Sequence, residues 1–167
     1  MAKSYLNDVY DGGTNDSREL YASWASTYDN EVQKNGYVTP ERVAKALKDI
    51  VTNQSEVILD YGCGTGLSGS ALRAVGFTNI DGLDVSQEMV SLAEKKSIYK
   101  KLTVFDPSAK IPVHADQYKI ITAIGVIGAE QRHLKFSIIY FLYYRQVDCL
   151  LFHSMTTHSV IQITRKK

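Results

Sequence analysis

The chain has 167 residues, of which 44% are hydrophobic and 22% charged, and its formal net charge is +1. This is the size and balance of one globular domain, and a net charge near zero gives no general attraction for phosphates, so no nucleic-acid partner is expected. The chain has only two cysteines and no apolar secretory segment, and its longest apolar run, at 136–144, is far below the roughly 20 residues of a membrane span. These features predict a cytoplasmic protein with no membrane partner.

Two helices are predicted before the first strand. The first begins at Asp16 or Ser17, and its apolar positions recur at helical spacing, a pattern typical of core or lid packing. These positions are Leu20, Tyr21, Trp24 and Tyr28. The second helix begins at Thr39-Pro40-Glu41, where Thr39 is expected to cap and the proline and the acid suit the first turn.

Short apolar runs then alternate with helical segments. Strands are predicted at 56–60, 79–84, 102–105 and 118–124, and helices at 67–75 and from the capping Ser86 onward. This alternation implies crossover connections and a parallel sheet covered on both faces. The predicted fold class is α/β.

A glycine-rich loop follows the first predicted strand and leads into a helix. It reads Asp60-Tyr61-Gly62-Cys63-Gly64-Thr65-Gly66, at the point where open α/β sheets hold their ligands. A phosphate-binding P-loop is excluded because Leu67, and not a lysine, follows the last glycine. A dinucleotide fingerprint matches formally at Gly64-x-Gly66-x-x-Gly69, so an NAD-dependent reductase stays open, although its first glycine lies late after the strand.

Charge favours a different ligand for this loop. Asp60 lies two residues before the first glycine, and residues 60–72 contain no Lys or Arg. A carboxylate there repels a pyrophosphate but suits a ligand with ammonium and sulfonium centres, such as S-adenosylmethionine. Asp84, after the second predicted strand, then suits the hydroxyls of the ribose.

These segments carry a resemblance to a known family. The run VILDYGCGTGLSGSALRAVGFTNIDGLDVSQEMVSLAEKK resembles the cofactor half of class I S-adenosylmethionine-dependent methyltransferases, and the preceding LYASWASTYDNEV resembles the N-terminal helix of members that act on small molecules. Within the family, the chain is similar to the methyltransferase-like proteins named for the Williams-Beuren syndrome region. The resemblance implies a Rossmann-like sheet, S-adenosyl-L-methionine as cofactor and a small-molecule methyl acceptor.

The same resemblance implies a set of cofactor-binding residues. They are Asp60, Gly62, Gly64 and Gly66 for the methionine part, Asp84 for the ribose, Val85, Met89 and Asp106 around the adenine, Ala123 with Ile124 and Gly125 beside the methyl group, and Tyr28 closing the pocket. No residue is assigned as a catalytic base. No metal site is expected, because Cys149, His153 and His158 lack a fourth ligand.

The C-terminal segment departs from the family pattern. Residues 131–167 contain no Gly or Pro and no Pro-Gly-Gly turn for a fifth strand, so the sheet is expected to be incomplete on its fifth-to-seventh-strand side. We therefore expect a methyltransferase domain over 1–130 and an atypical tail over 131–167. Two explanations of the tail stay open: a shifted reading frame, or a different C-terminus whose aromatic strand at 136–144 pairs with the sheet edge.

Two functions from different classes follow. The first is an enzyme that methylates a small molecule, and the second is an inactive or truncated module that only binds the cofactor. The tail motivates the second, because an unfinished sheet edge would leave the acceptor wall unbuilt.

Overall fold

A computed structural model describes residues 17–109, 111–113, 117–127, 149–154 and 160–164. The described helices are α1 (Ser17–Trp24), α2 (Tyr28–Lys34), α3 (Thr39–Ile50), α4 (Leu67–Ala74) and α5 (Gln87–Lys95). The described strands are β1 (Ile58–Tyr61), β2 (Ile80–Asp84), β3 (Lys101–Val104), β4 (Ile120–Ile127), β5 (Cys149–Ser154) and β6 (Val160–Thr164). No helix among these is long and apolar enough to cross a membrane.

The strands form one sheet in the order β3-β2-β1-β4-β5-β6. All neighbouring pairs are parallel except β5 and β6, and Ile58 of β1 lies in register with Ile80 on one side and Ile120 on the other. The four strands predicted before residue 130 are all present, with ends that differ by up to three residues. The α/β class and the Rossmann-like parallel sheet are therefore confirmed.

The C-terminal side of the sheet is short. The described part of the chain supplies six strands, of which β5 and β6 come from the tail, so the sheet is incomplete as expected. The predicted aromatic strand at 136–144 lies outside the described residues. The division of the chain into 1–130 and 131–167 stays a prediction.

The N-terminal aromatic stripe lies on two helices, so the prediction of one continuous helix was wrong. The chain turns after Trp24, where the Thr27 backbone N–H donates to the Trp24 carbonyl at 3.0 Å. The Thr27 hydroxyl donates to the Glu31 carboxylate at 2.7 Å. Local side-chain bonding by threonine competes with a continuing helix, and here it accompanies the start of α2.

The starts of α3 and α5 differ in their capping. Thr39 is the first residue of α3, the N-cap is Val38, and no side chain caps the helix, so the predicted role of Thr39 was wrong. Pro40 explains the position of this start, because its missing N–H costs nothing in the first turn. Ser86 does cap α5, since its Oγ accepts from the Met89 backbone N–H at 3.3 Å.

Two apolar clusters cover the two faces of the sheet. Adjacent residues of β1 point to opposite faces: Ile58 packs in one cluster with α3 and α4 residues, whereas Leu59 packs in the other with Leu83 and Phe105. Burial on both faces explains why β1 reads as an apolar run without alternation. It also leaves the carboxyl ends of the strands as the accessible part of the sheet.

Candidate functional site

A cavity of about 380 Å³ opens at the carboxyl ends of β1, β2 and β4, on the side where the strand order reverses. This is the position at which open α/β sheets bind ligands, and the volume lies in the range of small-molecule sites. The lining residues are Tyr21, Tyr28, Tyr37, Pro40, Tyr61, Gly62, Cys63, Gly64, Thr65, Leu67, Ser68, Asp84, Val85, Ser86, Met89, Phe105, Pro107, Ile124, Gly125 and Val126.

The glycine loop is held against β2. The backbone N–H groups of Gly62 and Cys63 both donate to the Leu83 carbonyl, at 2.7 and 3.1 Å. Gly62 has φ +70°, and a Cβ there would overlap the side chain of Val126, so only glycine fits. A Cβ at Gly64, in contrast, would meet nothing within 4 Å. The loop is therefore packed on its Gly62 side and open at Gly64.

Asp84 lies at the end of β2 and lines the cavity. Its Oδ2 accepts from the Gly64 backbone N–H at 2.8 Å, and its Oδ1 accepts from the Ser86 backbone N–H at 2.9 Å. Burial raises the pKa of the carboxyl, and the backbone hydrogen bonds oppose this rise. A carboxylate has about four lone-pair sites, more than these backbone groups use, so acceptor capacity stays available to a ligand.

Asp60 lies under the glycine loop and not in the cavity wall. Its side chain is fully buried, and its oxygens accept from three hydroxyls. These are Ser68 at 2.5 Å and Tyr99 at 2.8 Å on Oδ2, and Thr122 at 3.0 Å on Oδ1. Burial raises the pKa of Asp60 to about 6 although these hydrogen bonds lower it. The carboxylate therefore ties α4, β4 and the segment before β3 to the end of β1.

Gly69, the third glycine of the dinucleotide fingerprint, also faces the interior of the protein. A Cβ at Gly69 would overlap the Tyr99 hydroxyl, to which the Gly69 backbone N–H donates at 3.1 Å. Gly69 thus makes room for Tyr99.

The structure brings eight of the twelve predicted site residues into the cavity wall. They are Tyr28, Gly62, Gly64, Asp84, Val85, Met89, Ile124 and Gly125. The other four lie outside it: Asp60 and Ala123 are buried, Gly66 precedes α4 as its N-cap, and the exposed Asp106 accepts from the backbone N–H and hydroxyl of Ser108. The binding roles of all twelve stay predictions.

The cavity also includes Tyr37, which sequence reasoning missed. Its hydroxyl occupies the space that a Cβ at Gly125 would need. Gly125 has φ +71° and lies where the pairing of β4 with β5 shifts register, between Ile124 and Ile127. A glycine inside an apolar strand indicates a bulge or a close approach, so Gly125 carried a signal for this contact, whereas Tyr37 carried none.

Aromatic residues of α1 and α2 form the wall opposite the sheet. The rings of Trp24 and Tyr28 meet edge to face with centroids 4.7 Å apart, and Tyr21 packs on both. Tyr21 and Tyr28 line the cavity, while Trp24 is 3% exposed. Burial raises the pKa of Tyr28, which keeps its hydroxyl protonated. The predicted aromatic stripe therefore serves both as packing and as cavity wall.

The charge of the cavity is negative. Among the described residues that line it, Asp84 carries the single formal charge, and none is Lys or Arg. The described residues also contain no group of three or more side chains suited to hold a metal ion. Such a wall suits a neutral or cationic ligand and disfavours a diphosphate.

Comparison with known proteins gives a consistent family. A family model described as a methyltransferase domain matches residues 32–136. Over 87 residues the chain is 35% identical to human methyltransferase-like protein 27, which covers 51% of this chain and 36% of that protein. It is 29% identical over 91 residues to the 18S rRNA (guanine(1575)-N(7))-methyltransferase of Saccharomyces cerevisiae, covering 54% and 33% of the two chains.

A solved structure has the same fold. It belongs to a candidate S-adenosyl-L-methionine-dependent methyltransferase of Methanococcus maripaludis, with a TM-score of 0.63, 17% identity and coverage of 85% of this chain and 68% of the other. At this identity the likeness concerns the fold alone. The chain spans about a third of the length of the two curated relatives. One of these relatives is an rRNA methyltransferase by name, so the comparisons do not support the expected absence of a nucleic-acid partner.

Proposed function

The chain belongs to the methyltransferase domain family, in the class I group that uses S-adenosylmethionine, and from this premise we propose that it binds this cofactor in the cavity and methylates a small-molecule acceptor. When bound, S-adenosylmethionine supplies a methyl group already activated by its sulfonium. The protein then has to bind and align the reactants and exclude water. The described cavity wall offers residues for each of these tasks.

The observation that carries the proposal is the position of Asp84. Its carboxylate lies in the wall of a cavity that has no other formal charge among its described residues, and it is oriented by two backbone N–H groups. The remaining acceptor capacity of this carboxylate suits the paired hydroxyls of a ribose. Val85 and Met89 provide apolar surface beside it for an adenine.

We propose that methyl transfer takes place at the part of the cavity that β4 lines. Ile124 and Gly125 of β4 line the cavity together with Tyr21, Tyr28 and Tyr37, and the Tyr37 hydroxyl lies against Gly125. The three rings add aromatic surface to this part of the wall. Since the pKa of Tyr28 is raised, its hydroxyl serves as a hydrogen-bond donor and not as a base. We therefore propose an acceptor that arrives with a free lone pair and needs no proton removed beforehand.

A small acceptor is the finer part of the proposal. The small volume of the cavity and the absence of Lys and Arg from its described wall support it, because an RNA substrate is held chiefly by cations on its phosphates. The rRNA methyltransferase among the relatives makes RNA the competing acceptor. A transfer assay with radiolabelled cofactor, run on small amines, phenols and carboxylates and on rRNA fragments, separates the two.

Binding of S-adenosylhomocysteine, measured by titration calorimetry, is the first test. The Asp84→Asn variant should bind it about 10- to 100-fold more weakly, the scale of a lost charged hydrogen bond. Asp81→Asn is the matched control, because Asp81 is also a half-buried acid of β2 but accepts from the Tyr118 hydroxyl, away from the cavity. No binding by the unaltered protein, or equal binding by Asp84→Asn, contradicts the proposal.

A cofactor-binding module without turnover is the second candidate. It is favoured by the short sheet edge, where the described tail supplies β5 and β6 alone. Binding of S-adenosylhomocysteine without transfer to any acceptor would support the module. The nucleotide sequence beyond codon 130 tests whether the tail comes from a shifted reading frame: a stop codon in the shifted frame within 131–167 excludes this explanation.

A cytoplasmic location, which the buried free thiol of Cys63 supports, stays a proposal.

A further inference from the structure

Asp29, on the first turn of α2, connects three parts of the molecule that are far apart in sequence. Its Oδ1 accepts from the Thr65 hydroxyl at 2.5 Å, and its Oδ2 pairs with the Lys96 ammonium at 2.7 Å. Thr65 belongs to the glycine loop, 36 residues further along the chain, and Lys96 follows α5, 67 residues further along. One carboxylate thus joins the N-terminal helices to the loop and to the helix after β2.

The neighbours of Asp29 make this connection relevant to the cavity. Tyr28, the preceding residue, lines the cavity and packs on Trp24. Thr65, in the glycine loop, also lines it and is 2% exposed. The contact therefore joins the helix that carries Tyr28 to the glycine loop, and both of these segments line the cavity.

The contact is also sheltered from water. The side chains of Asp29 and Lys96 are 34% and 27% exposed, whereas the Lys119–Glu56 pair at the far end of β1 has a 62% exposed lysine and a separation of 3.5 Å. Partial burial and a short distance strengthen an ion pair, and an exposed pair at longer distance contributes little. The Asp29 contact has the geometry of a pair that holds its partners in place.

We propose that Asp29 is a positioning residue for the cofactor: its bonds to Thr65 and Lys96 hold the aromatic wall of α1 and α2 closed against the glycine loop. The inference rests on the proposed function, since it assumes that the cofactor occupies this cavity. Asp29 itself is not among the residues that line the cavity, so it acts through Tyr28 and Thr65. Its loss should open the wall and weaken binding while the sheet stays folded.

The chain carries its own probe for this motion. Trp24 is the one tryptophan of the sequence, and it lies in the wall that Asp29 is proposed to hold. Quenching of its fluorescence by acrylamide therefore reports how accessible the wall is. Asp29→Asn keeps the shape of the side chain but removes the charge, and we expect it to raise the quenching constant about twofold or more and to weaken S-adenosylhomocysteine binding roughly tenfold.

Three further variants sharpen the test. Lys96→Met should reproduce the effect of Asp29→Asn, and the double variant should add little, because both changes break the same pair. Lys96→Arg keeps the charge and should stay close to the unaltered protein. Lys119→Met breaks the remote ion pair and should change neither quenching nor binding.

The outcomes separate this inference from the function on which it rests. If the unaltered protein does not bind S-adenosylhomocysteine, the proposed function fails, and the quenching of Trp24 still tests the contact. If the unaltered protein binds but Asp29→Asn changes neither quenching nor affinity, the positioning role is overturned alone. Asp84→Asn should weaken binding without raising the quenching, which distinguishes a residue that contacts the ligand from one that positions the wall. Urea denaturation gives the unfolding free energy that Asp29→Asn loses. If this loss is as large as the loss of binding free energy, the variant is generally destabilised and the inference is also overturned.

Discussion

The two sides of the glycine loop use the same chemical group in different ways. Beneath the loop, Asp60 is fully buried and accepts from the hydroxyls of Ser68, Tyr99 and Thr122. On the cavity side, Asp84 accepts from the backbone N–H groups of Gly64 and Ser86 and lines the cavity. Both are aspartates at the ends of adjacent parallel strands. The difference teaches that burial and the supply of donors, and not residue type or motif position, decide which carboxylate the fold encloses and which one faces the cavity.

The largest expected effect concerns the packed side of the loop. Gly62 and Gly36 share φ +70°, but a Cβ at Gly62 would overlap Val126 whereas a Cβ at Gly36 would meet nothing within 4 Å. Gly36→Ala should cost about 1–2 kcal/mol of unfolding free energy for the left-handed backbone alone. Gly62→Ala should cost about 1–3 kcal/mol more because of overpacking. Urea denaturation measures both unfolding free energies. Equal losses in the two variants would mean that the Val126 side chain moves away from the new Cβ without loss of stability.

The pH dependence of stability tests the buried side. Because the pKa of Asp60 rises from 3.8 to about 6 on folding, the folded protein binds this proton more tightly than the unfolded chain. The carboxyl therefore favours folding most at low pH, and that contribution is lost as the pH rises through 6. Asp60→Asn does not titrate, so its stability relative to the unaltered protein should increase by roughly 2 to 3 kcal/mol between pH 4 and pH 7.5.

Urea unfolding at a series of pH values measures this difference. Repeating the series at high salt serves as the control, because salt screens exposed charges and leaves a buried carboxylate largely unaffected. Asp84, whose pKa is also raised by burial, is present in both proteins. A difference that does not change with pH would contradict the account of Asp60 as a buried carboxylate that its surroundings make hard to ionise.

A smaller effect is expected for the hydroxyl that joins Asp60 to Gly69. Tyr99→Phe removes one donor to Asp60 and one acceptor for the Gly69 N–H, and should lower the unfolding free energy by about 1–3 kcal/mol. Affinity for S-adenosylhomocysteine should stay within about threefold, because Tyr99 does not line the cavity. Tyr118→Phe, which removes a hydroxyl bonded to Asp81, is the matched control. A selective loss of affinity in Tyr99→Phe would assign the network beneath the loop to ligand binding.

The smallest effect is expected at the far end of β1. The ammonium of Lys119 lies 3.5 Å from the Glu56 carboxylate, and the lysine side chain is 62% exposed. Lys119→Met should change the unfolding free energy by less than about 0.5 kcal/mol. A thermal melt measures it. A loss above 1 kcal/mol would mean that this end of the sheet, and not the loop end, depends on charge.

Most of the fold was predictable because its signals are local. The apolar run before Asp60, the glycines after it and the capping Ser86 each depend on residues a few positions apart, and the structure contains the corresponding strand, loop and helix. The break between Trp24 and Tyr28 was not predicted, because the aromatic spacing continues across it. The competing bonds of Thr27 leave that spacing unchanged and so gave no signal of their own.

The candidate site was predictable at Asp84 and the open glycine, and not at Tyr37 or Asp29. The parallel pairing of β1 and β2, which the alternation of elements implies, brings the Gly64 backbone N–H within hydrogen-bond distance of Asp84. Tyr37 lies against Gly125 and Asp29 against Thr65, contacts that no periodicity or motif encodes. They arise from how α2 and the segment before α3 pack on the ends of the strands.

The order of residues alone determined the parallel α/β class, the glycine loop and the negative charge around it, because strand period, turn chemistry and charge can all be read from near neighbours. Only the tertiary structure decided which aspartate turns inward. The hydroxyls of Tyr99 and Thr122 reach Asp60 from 39 and 62 residues away, and together their hydrogen bonds offset part of the free-energy cost of burying that carboxylate. A buried carboxylate needs donors on several sides at once, and such an arrangement exists only after the chain has folded.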